Sequence, residues 1–243
     1  MDTPYGSAPL PIWERPEPQP RAAPVSLSRE KIAATAIRLA DAHGLDELSV
    51  RKIAKDLGVG PMRLYDYVVN RAELLDLMVD AVYAQIAEAG PRSDWRATVL
   101  AIARATRDAT LEHEWFSDLH GGRPQLGPHA LAVGEATAAA LSQAPGVHDI
   151  GDLQRAVGAL NSFIIGALRR EITERRTARS TGTDEPAWQA SLGPYLTRML
   201  KTGRYPTIAR LVIDGDHLDA EETFNRNLTT IVDGITSDPL THQ

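Results

Sequence analysis

The chain has 243 residues, 43% of them hydrophobic, with a mean hydropathy of −0.24. That is enough for one small and one larger packed domain, and no apolar run approaches the length of a membrane span. The absence of cysteine excludes disulfides, zinc–thiolate sites and thiol catalysis, and the net charge of −6 excludes a surface coated in basic residues, so any nucleic-acid contact must be local.

Residues 1–27 form a proline-rich arm, with seven prolines before residue 26. Such a segment favours polyproline II and is expected to be disordered. Ile12 and Trp13 are its only sizeable apolar pair and can dock on the body. A second reading is a DNA-touching arm, because Arg15, Arg21 and Arg29 precede the first helix and arginines on such arms enter minor grooves. The first residues carry acid and proline rather than a basic segment followed by an apolar one, so no secretory signal is expected and the cytoplasm is the expected location.

The first predicted helix spans Arg29 to His43, with Ile32, Ala36, Leu39 and Ala40 on one face and Gly44 as its stop. Ser49 can cap a helix beginning at Val50, in which Ile53, Ala54 and Leu57 make the inward stripe. Gly58 ends it, and Val59 plugs the corner. Pro61 suits the first turn of a short helix that runs on to Tyr67 and Val68. Asn70 with Glu73 reads as a capping box opening a further helix at Arg71, which carries Leu74, Leu75, Met78, Val82 and Ile86 to a break at Gly90-Pro91. Helix, four-residue turn and helix make a helix-turn-helix, whose second helix enters a DNA major groove. Between Arg29 and Arg71 eight cations face six carboxylates, so weak, salt-sensitive non-specific binding is expected, with a few base contacts left to discriminate.

Residues 28–90 resemble the DNA-binding domain of the TetR family of one-component transcriptional regulators. The resemblance is carried by Leu48, Ser49, Arg51, Ile53, Ala54, Leu57, Gly58, Val59, Leu64, Tyr65, Tyr67, Val68, Asn70, Arg71, Leu74 and Leu75. It implies an all-α fold: an N-terminal three-helix helix-turn-helix domain, and a C-terminal helical domain over 91–243 that binds a small molecule and makes the dimer. The C-terminal part looks closest to the branch of the tetracycline repressor itself.

Residues 94–238 read as helical throughout. Helices are predicted at Trp95 to His113, His129 to Leu141, Ile150 to Arg176, Ala187 to Leu200, Thr207 to Val212 and Ala220 to Ile235, with loops at Gly121–Pro128 and Thr177–Glu185. Leu153, Val157, Leu160, Ile164 and Leu168 recur at three and four, as do Phe224, Leu228, Ile231, Val232 and Ile235. These stripes are the expected dimer bundle, though they can also fill the subunit core.

The residues expected at DNA are Ser49, Arg51, Pro61, Met62, Arg63, Tyr65, Asp66, Tyr67 and Arg71. The resemblance implies a base- or phosphate-contacting role for Arg51 and phosphate contacts for Tyr65, Tyr67 and Arg71. For Tyr67 packing is the competing reading. Arg63 and Asp66 depart from the family's usual residues. Asp66 can accept from a cytosine amine or fix Arg63. The candidate ligand-binding residues are His113, Trp115, Phe116, His129, Asn161, Phe163 and Trp188. No catalytic residue, metal site or cofactor is expected, only a small-molecule effector of unassigned identity. The implied partners are double-stranded DNA, the effector and a second copy of the chain, with no membrane.

Together these features describe a ligand-responsive DNA-binding regulator, a repressor released from a pseudo-palindromic operator. A ligand-independent dimeric regulator is the first rival. The second is an all-helical enzyme with a DNA-binding appendage, for which no nucleophile elbow, phosphate loop or paired-carboxylate motif is visible.

Overall fold

The computed structural model describes residues 10–19, 26–122, 124–216 and 218–236, and the regular structure among them is helical throughout. The N-terminal helices start and stop where their caps require. α1 (Arg29–His43) opens at Ser28, whose side chain accepts the Lys31 N–H, and closes at Gly44. α2 (Val50–Asp56) opens at Ser49, which accepts from Lys52 in the same way. Gly58 follows at φ +67°, the left-handed conformation that a side chain would strain. α3 (Pro61–Leu64) is a single turn, shorter than the expected run to Val68. Beyond it the N–H groups of Tyr67 and Val68 both return to the Leu64 carbonyl, so the chain tightens into a turn instead of propagating a helix. α4 (Arg71–Ala87) is capped by Asn70, which accepts from Glu73 N–H. The Glu73 carboxylate in turn takes the N–H of Val69 at 2.8 Å.

The C-terminal part comprises α5 (Trp95–Glu112), α6 (Phe116–Leu119), α7 (Pro128–Leu141), α8 (Ile150–Thr181), α9 (Glu185–Leu200), α10 (Pro206–Asp214) and α11 (Ala220–Thr236). α6 is an addition to the predicted elements, a single turn in what reads as loop. α8 is a correction. The polar stretch after Arg176, expected as a loop, stays helical to Thr181 because Arg176 and Arg179 are anchored on Glu114 and Asp118. Gly182, at φ +70°, then ends it.

One apolar core runs from Ile32, Ile53 and Leu64 through Met78, Val82 and Ile86 of α4 to Ile102, Trp115 and Phe116. α4 therefore connects the two parts by continuous packing. A second core joins α5, α8 and α11 through Val99, Ala103, Leu160, Ile164, Leu168, Phe224, Leu228 and Val232. Six of the ten stripe residues are buried inside the subunit, while Leu153, Val157, Ile231 and Ile235 stay partly exposed. Between them α8 exposes small residues, Gly158, Ser162 and Gly166. α9 and α10 bury no residue at all.

The arm also differs from expectation over residues 10–19. Ile12 is 2% exposed and packs with Ala33, Val68 and Leu77. Burying one large aliphatic side chain contributes about 2 kcal/mol, part of what ordering the segment costs, and proline lowers that cost by restricting the unfolded chain. Arg21 and the rest of 1–9 and 20–25 lie outside the described residues. No helix among the described residues is long and apolar enough to cross a membrane.

Candidate nucleic-acid interface and effector site

The helix-turn-helix divides its expected DNA residues into an outward set and a set bonded to the domain itself. Arg51, Pro61, Met62 and Tyr65 face outward, Met62 at 76% and Tyr65 at 46% exposure. Exposing a large thioether and an aromatic ring on a four-residue helix costs solvation, and a duplex groove would cover both. Ser49 serves as the α2 cap, which leaves its hydroxyl hydrogen available to a phosphate. Arg63 is half-buried on α3 and Asp66 is exposed just beyond it.

Two of the nine bond to the domain's own backbone. Tyr67 is 5% exposed and its hydroxyl donates to the Leu27 carbonyl at 3.2 Å, which supports the packing reading. The ring fills the space beneath α3 that a one-turn helix cannot fill itself. Arg71, although its side chain lies at the surface, donates to the carbonyls of Leu48 at 3.1 Å and Leu45 at 2.8 Å. It thereby holds the α1–α2 connection. Arg38 pairs with Asp56 and Lys52 with Glu47, so those cations are partly neutralised on the domain surface.

The seven candidate ligand residues do not converge on one cavity. His113 and Trp115 meet at Asp41 of α1. Its carboxylate lies 3.0 and 3.1 Å from His113 Nδ1 and accepts Trp115 Nε1–H at 2.7 Å. Gln85 of α4 stands 3.1 Å from His113 Nε2. A neutral imidazole protonated at Nδ1 satisfies both contacts, donating to Asp41 and accepting the Gln85 amide. His129 is bound to Asp80 of α4. The buried Asp80 carboxylate takes the backbone N–H groups of His129 and Ala130, plus His129 Nδ1 at 2.8 Å, and so caps α7 from another helix. Asn161 is exposed on α8, and Trp188 is 56% exposed on α9. Phe163 stacks at 5.6 Å on Phe224 in an open cleft of about 1200 Å³ between α8 and α11. The Arg107–Glu171 pair sits in the same cleft, at 2.7 Å.

Phe116 joins Trp115, edge-on at 6.3 Å, to an aromatic cluster with His120 and Tyr83. Its ring lies 5.1 Å from His120 and 5.5 Å from Tyr83. Tyr83 Oη is 3.3 Å from His120 Nδ1. Beside them a small space is lined by Thr110, Ser117, His120, Ile165, Leu168 and Arg169. Burial, with Arg169 nearby, pushes the His120 imidazole down to about 4, and burial with Asp80 raises the Tyr83 phenol to about 12. Both side chains are therefore neutral at pH 7, and each can donate or accept a hydrogen bond. The space is closed in this conformation. Gly121, at φ +92°, lies so near α8 that a Cβ there would come within 2.8 Å of Ile165. Asp41, Tyr83 and Asp80 are absent from the residues singled out by sequence. Asp41 lies in the last turn of α1 and Asp80 and Tyr83 lie within α4, each far along the chain from its partner, and only the amphipathic spacing of α4 pointed its inner face here. No group of three His, Cys, Asp or Glu side chains suited to a metal occurs among the described residues.

Residues 32–78 match the family described as bacterial regulatory proteins, tetR family, and residues 89–238 match the tetracyclin repressor-like C-terminal domain. The HTH-type transcriptional repressor DrrR1 of Streptomyces coeruleorubidus is 34% identical over 227 residues, covering 92% of this chain and 83% of that protein. The class A tetracycline repressor from transposon 1721 in Escherichia coli is 29% identical, covering 86% of this chain and 90% of the repressor. Among solved structures, apo ActR from Streptomyces coelicolor superposes with a TM-score of 0.72 at 28% identity, covering 89% of this chain and 97% of ActR. ActR has also been solved in complex with actinorhodin, with a TM-score of 0.71 to this chain.

Proposed function

The chain belongs to the TetR family of bacterial transcriptional regulators, and from that premise we propose that it is a repressor released from a pseudo-palindromic operator by a small molecule. The outward set Arg51, Pro61, Met62 and Tyr65, with Ser49, Arg63 and Asp66 beside it, reads the duplex. The domains divide at 28–90 and 91–243, with residues 10–19 attached to the first. A DNA-binding regulator of this kind acts in the cytoplasm. The family and its named regulators leave no place for the enzyme reading.

One observation carries ligand responsiveness: the segment 113–120 is bonded to both parts at once. On one side His113 and Trp115 hold Asp41 of α1, in the reading head. On the other, α8 grips the segment through Arg169 on the His120 carbonyl and Arg176 on Asp118 and the Glu114 carbonyl. Between these grips Phe116, Ser117 and His120 face the aromatic cluster. A ligand that inserts there must move the segment, and the segment cannot move without pulling on α1 and α4. It shifts the equilibrium only by as much as it prefers the displaced state. The effector class the lining suits is a flat, multi-ring aromatic bearing hydrogen-bonding oxygens, which must open the small space to enter and would then meet neutral Tyr83 and His120 and the cation of Arg169. Relatives that bind actinorhodin or are named for tetracycline point to the same chemistry.

A dimer places two reading heads on one operator. Gly158, Ser162 and Gly166 of α8 allow a second α8 to approach closely. The unburied apolar faces of α9 and α10, which include Trp188, Leu192, Ile208 and Leu211, need a cover that the subunit does not supply.

The test is fluorescence anisotropy with duplex from the region upstream of the chain's own gene, against a scrambled duplex at fixed salt. A preference of about a thousandfold is expected, and micromolar actinorhodin or tetracycline, used as probes, should weaken binding to the specific duplex. Equal, weak binding to both duplexes would overturn the reading.

A further inference from the structure

Residues 10–19 are tied to the reading head at three places, and every tie points inward. Ile12 sits between α1 and the start of α4. The guanidinium of Arg29, the first residue of α1, donates to the carbonyls of Ile12 at 2.9 Å and Arg15 at 2.8 Å, and its Nε reaches the Tyr67 carbonyl at 3.4 Å. Arg15 Nη2 meets Glu73 Oε2 at 2.5 Å, the same oxygen that accepts the Val69 N–H. The Glu17 carboxylate takes the backbone N–H of Arg29, so it helps cap α1. The arm thus bridges the N-termini of α1 and α4. The Tyr67–Val69 turn between them is the point where the recognition helix hands over to α4.

We propose that Arg15 is a positioning residue for the recognition helix, acting through Glu73 and the Val69 turn, and that residues 10–19 are a structural strap of the reading head. The inference rests on the DNA-binding reading above. α3 is one turn long and cannot hold its own orientation, since a single turn does not repay its nucleation cost. Its C-terminal side is fixed instead by the Tyr67 ring, by Arg29 on the Tyr67 carbonyl, and by the Arg15–Glu73 pair. That pair is four-fifths shielded from solvent, with side-chain exposures of 23% and 18%, so it is less screened than the surface pairs of α1 and α2. Two arginines that a DNA-touching arm would spend on phosphates are spent on the protein.

The strap and a phosphate-contacting arm differ in their salt dependence. Removing one phosphate-bound cation lowers the slope of log K against log salt by about 0.9, whereas a misplaced helix weakens binding without changing the slope. The experiment titrates labelled upstream duplex and scrambled duplex with wild type, Arg15→Ala, Arg15→Lys, Glu73→Gln and the Arg15→Ala/Glu73→Gln double variant, over a series of salt concentrations. Both single substitutions should weaken specific binding by roughly three- to tenfold. The double should be no worse than either single, Arg15→Lys should recover part of the affinity, and slope and scrambled binding should stay unchanged. A fall in slope on Arg15→Ala would overturn the strap in favour of a phosphate contact. A rise in affinity with a steeper slope would overturn it in favour of a mask over Arg29 and the α1 N-terminus. Unchanged affinity would overturn it outright. The same variants are melted without DNA, where the strap requires non-additive shifts. If wild type binds no duplex, the DNA-binding reading fails by itself, and additive melting shifts would sink the strap separately.

Discussion

Tyr65 and Tyr67 show how much two positions can change a residue's work. Both match the family's motif, yet one hydroxyl is at the surface and the other is bonded to Leu27 beneath the recognition helix. The difference follows from the helical turn after Leu64, in which residues two apart are rotated by about 200° and so face opposite sides. His120 carries a consequence for pH. Its pKa is lowered from 6.5 to about 4 by burial and by Arg169, so the fold favours the neutral ring. Below pH 6.5 the unfolded chain binds a proton that the folded chain refuses until about pH 4. The stability tied to this group is therefore full above pH 6.5 and is lost as pH falls through that window. Chemical denaturation of wild type and His120→Gln between pH 4 and 7.5 should show the wild type losing more stability on acidification. Parallel curves would contradict the assignment.

At the scale of elements, α4 and the segment 113–120 decide how the two parts communicate. α4 is packed along its length and pinned at Asp80, whose carboxylate caps α7. The segment 113–120 is gripped by α8 and by Asp41 together. The Glu114 carboxyl is held low by the Arg179 hydrogen bond, and the Arg176 guanidinium is raised by Asp118, both signs that the grip is electrostatic at neutral pH. Trp115→Phe removes the Nε1–H bond to Asp41 and trims a buried indole, so its melting is measured alongside to separate lost packing from the lost bond. The variant should bind operator and effector as wild type does. The effector's power to release operator should fall by about tenfold, within the usual range of coupling energies. Isothermal titration with and without operator duplex measures that coupling, and an unchanged value would place transmission elsewhere, in α4 alone.

At the scale of the molecule, the subunit leaves one helix face of small residues and one apolar hairpin uncovered. Space beside Gly158 and Gly166 is open, so a larger side chain there costs the isolated subunit little. Gly158→Leu/Gly166→Leu should leave far-UV circular dichroism and melting of the subunit core near wild type, yet weaken self-association by more than tenfold, because two helices pressed together at small residues cannot accommodate leucines. Analytical ultracentrifugation across a concentration series distinguishes this from the alternative. A dimer unaffected by both leucines would move the interface to α9 and α10.

The sequence by itself determined the helical class, the caps at Ser49 and Asn70, the stop at Gly58 and the family of the reading head, because these are local. A cap or a turn needs only the few residues around it, and amphipathic spacing reports which face is inward. Other features followed from contacts between residues far apart in the chain. Asp41 meets His113 and Trp115 across more than seventy positions, Arg15 meets Glu73 across 58, and Arg179 meets Glu114 across 65. Such pairs leave no periodic trace, since a carboxylate at a helix end or in a connection reads as a surface one until its partner is in place. The docked arm, the extended α8 and the closed aromatic cluster were therefore decided by tertiary structure, where long-range charge pairing and burial outweigh what each segment prefers alone.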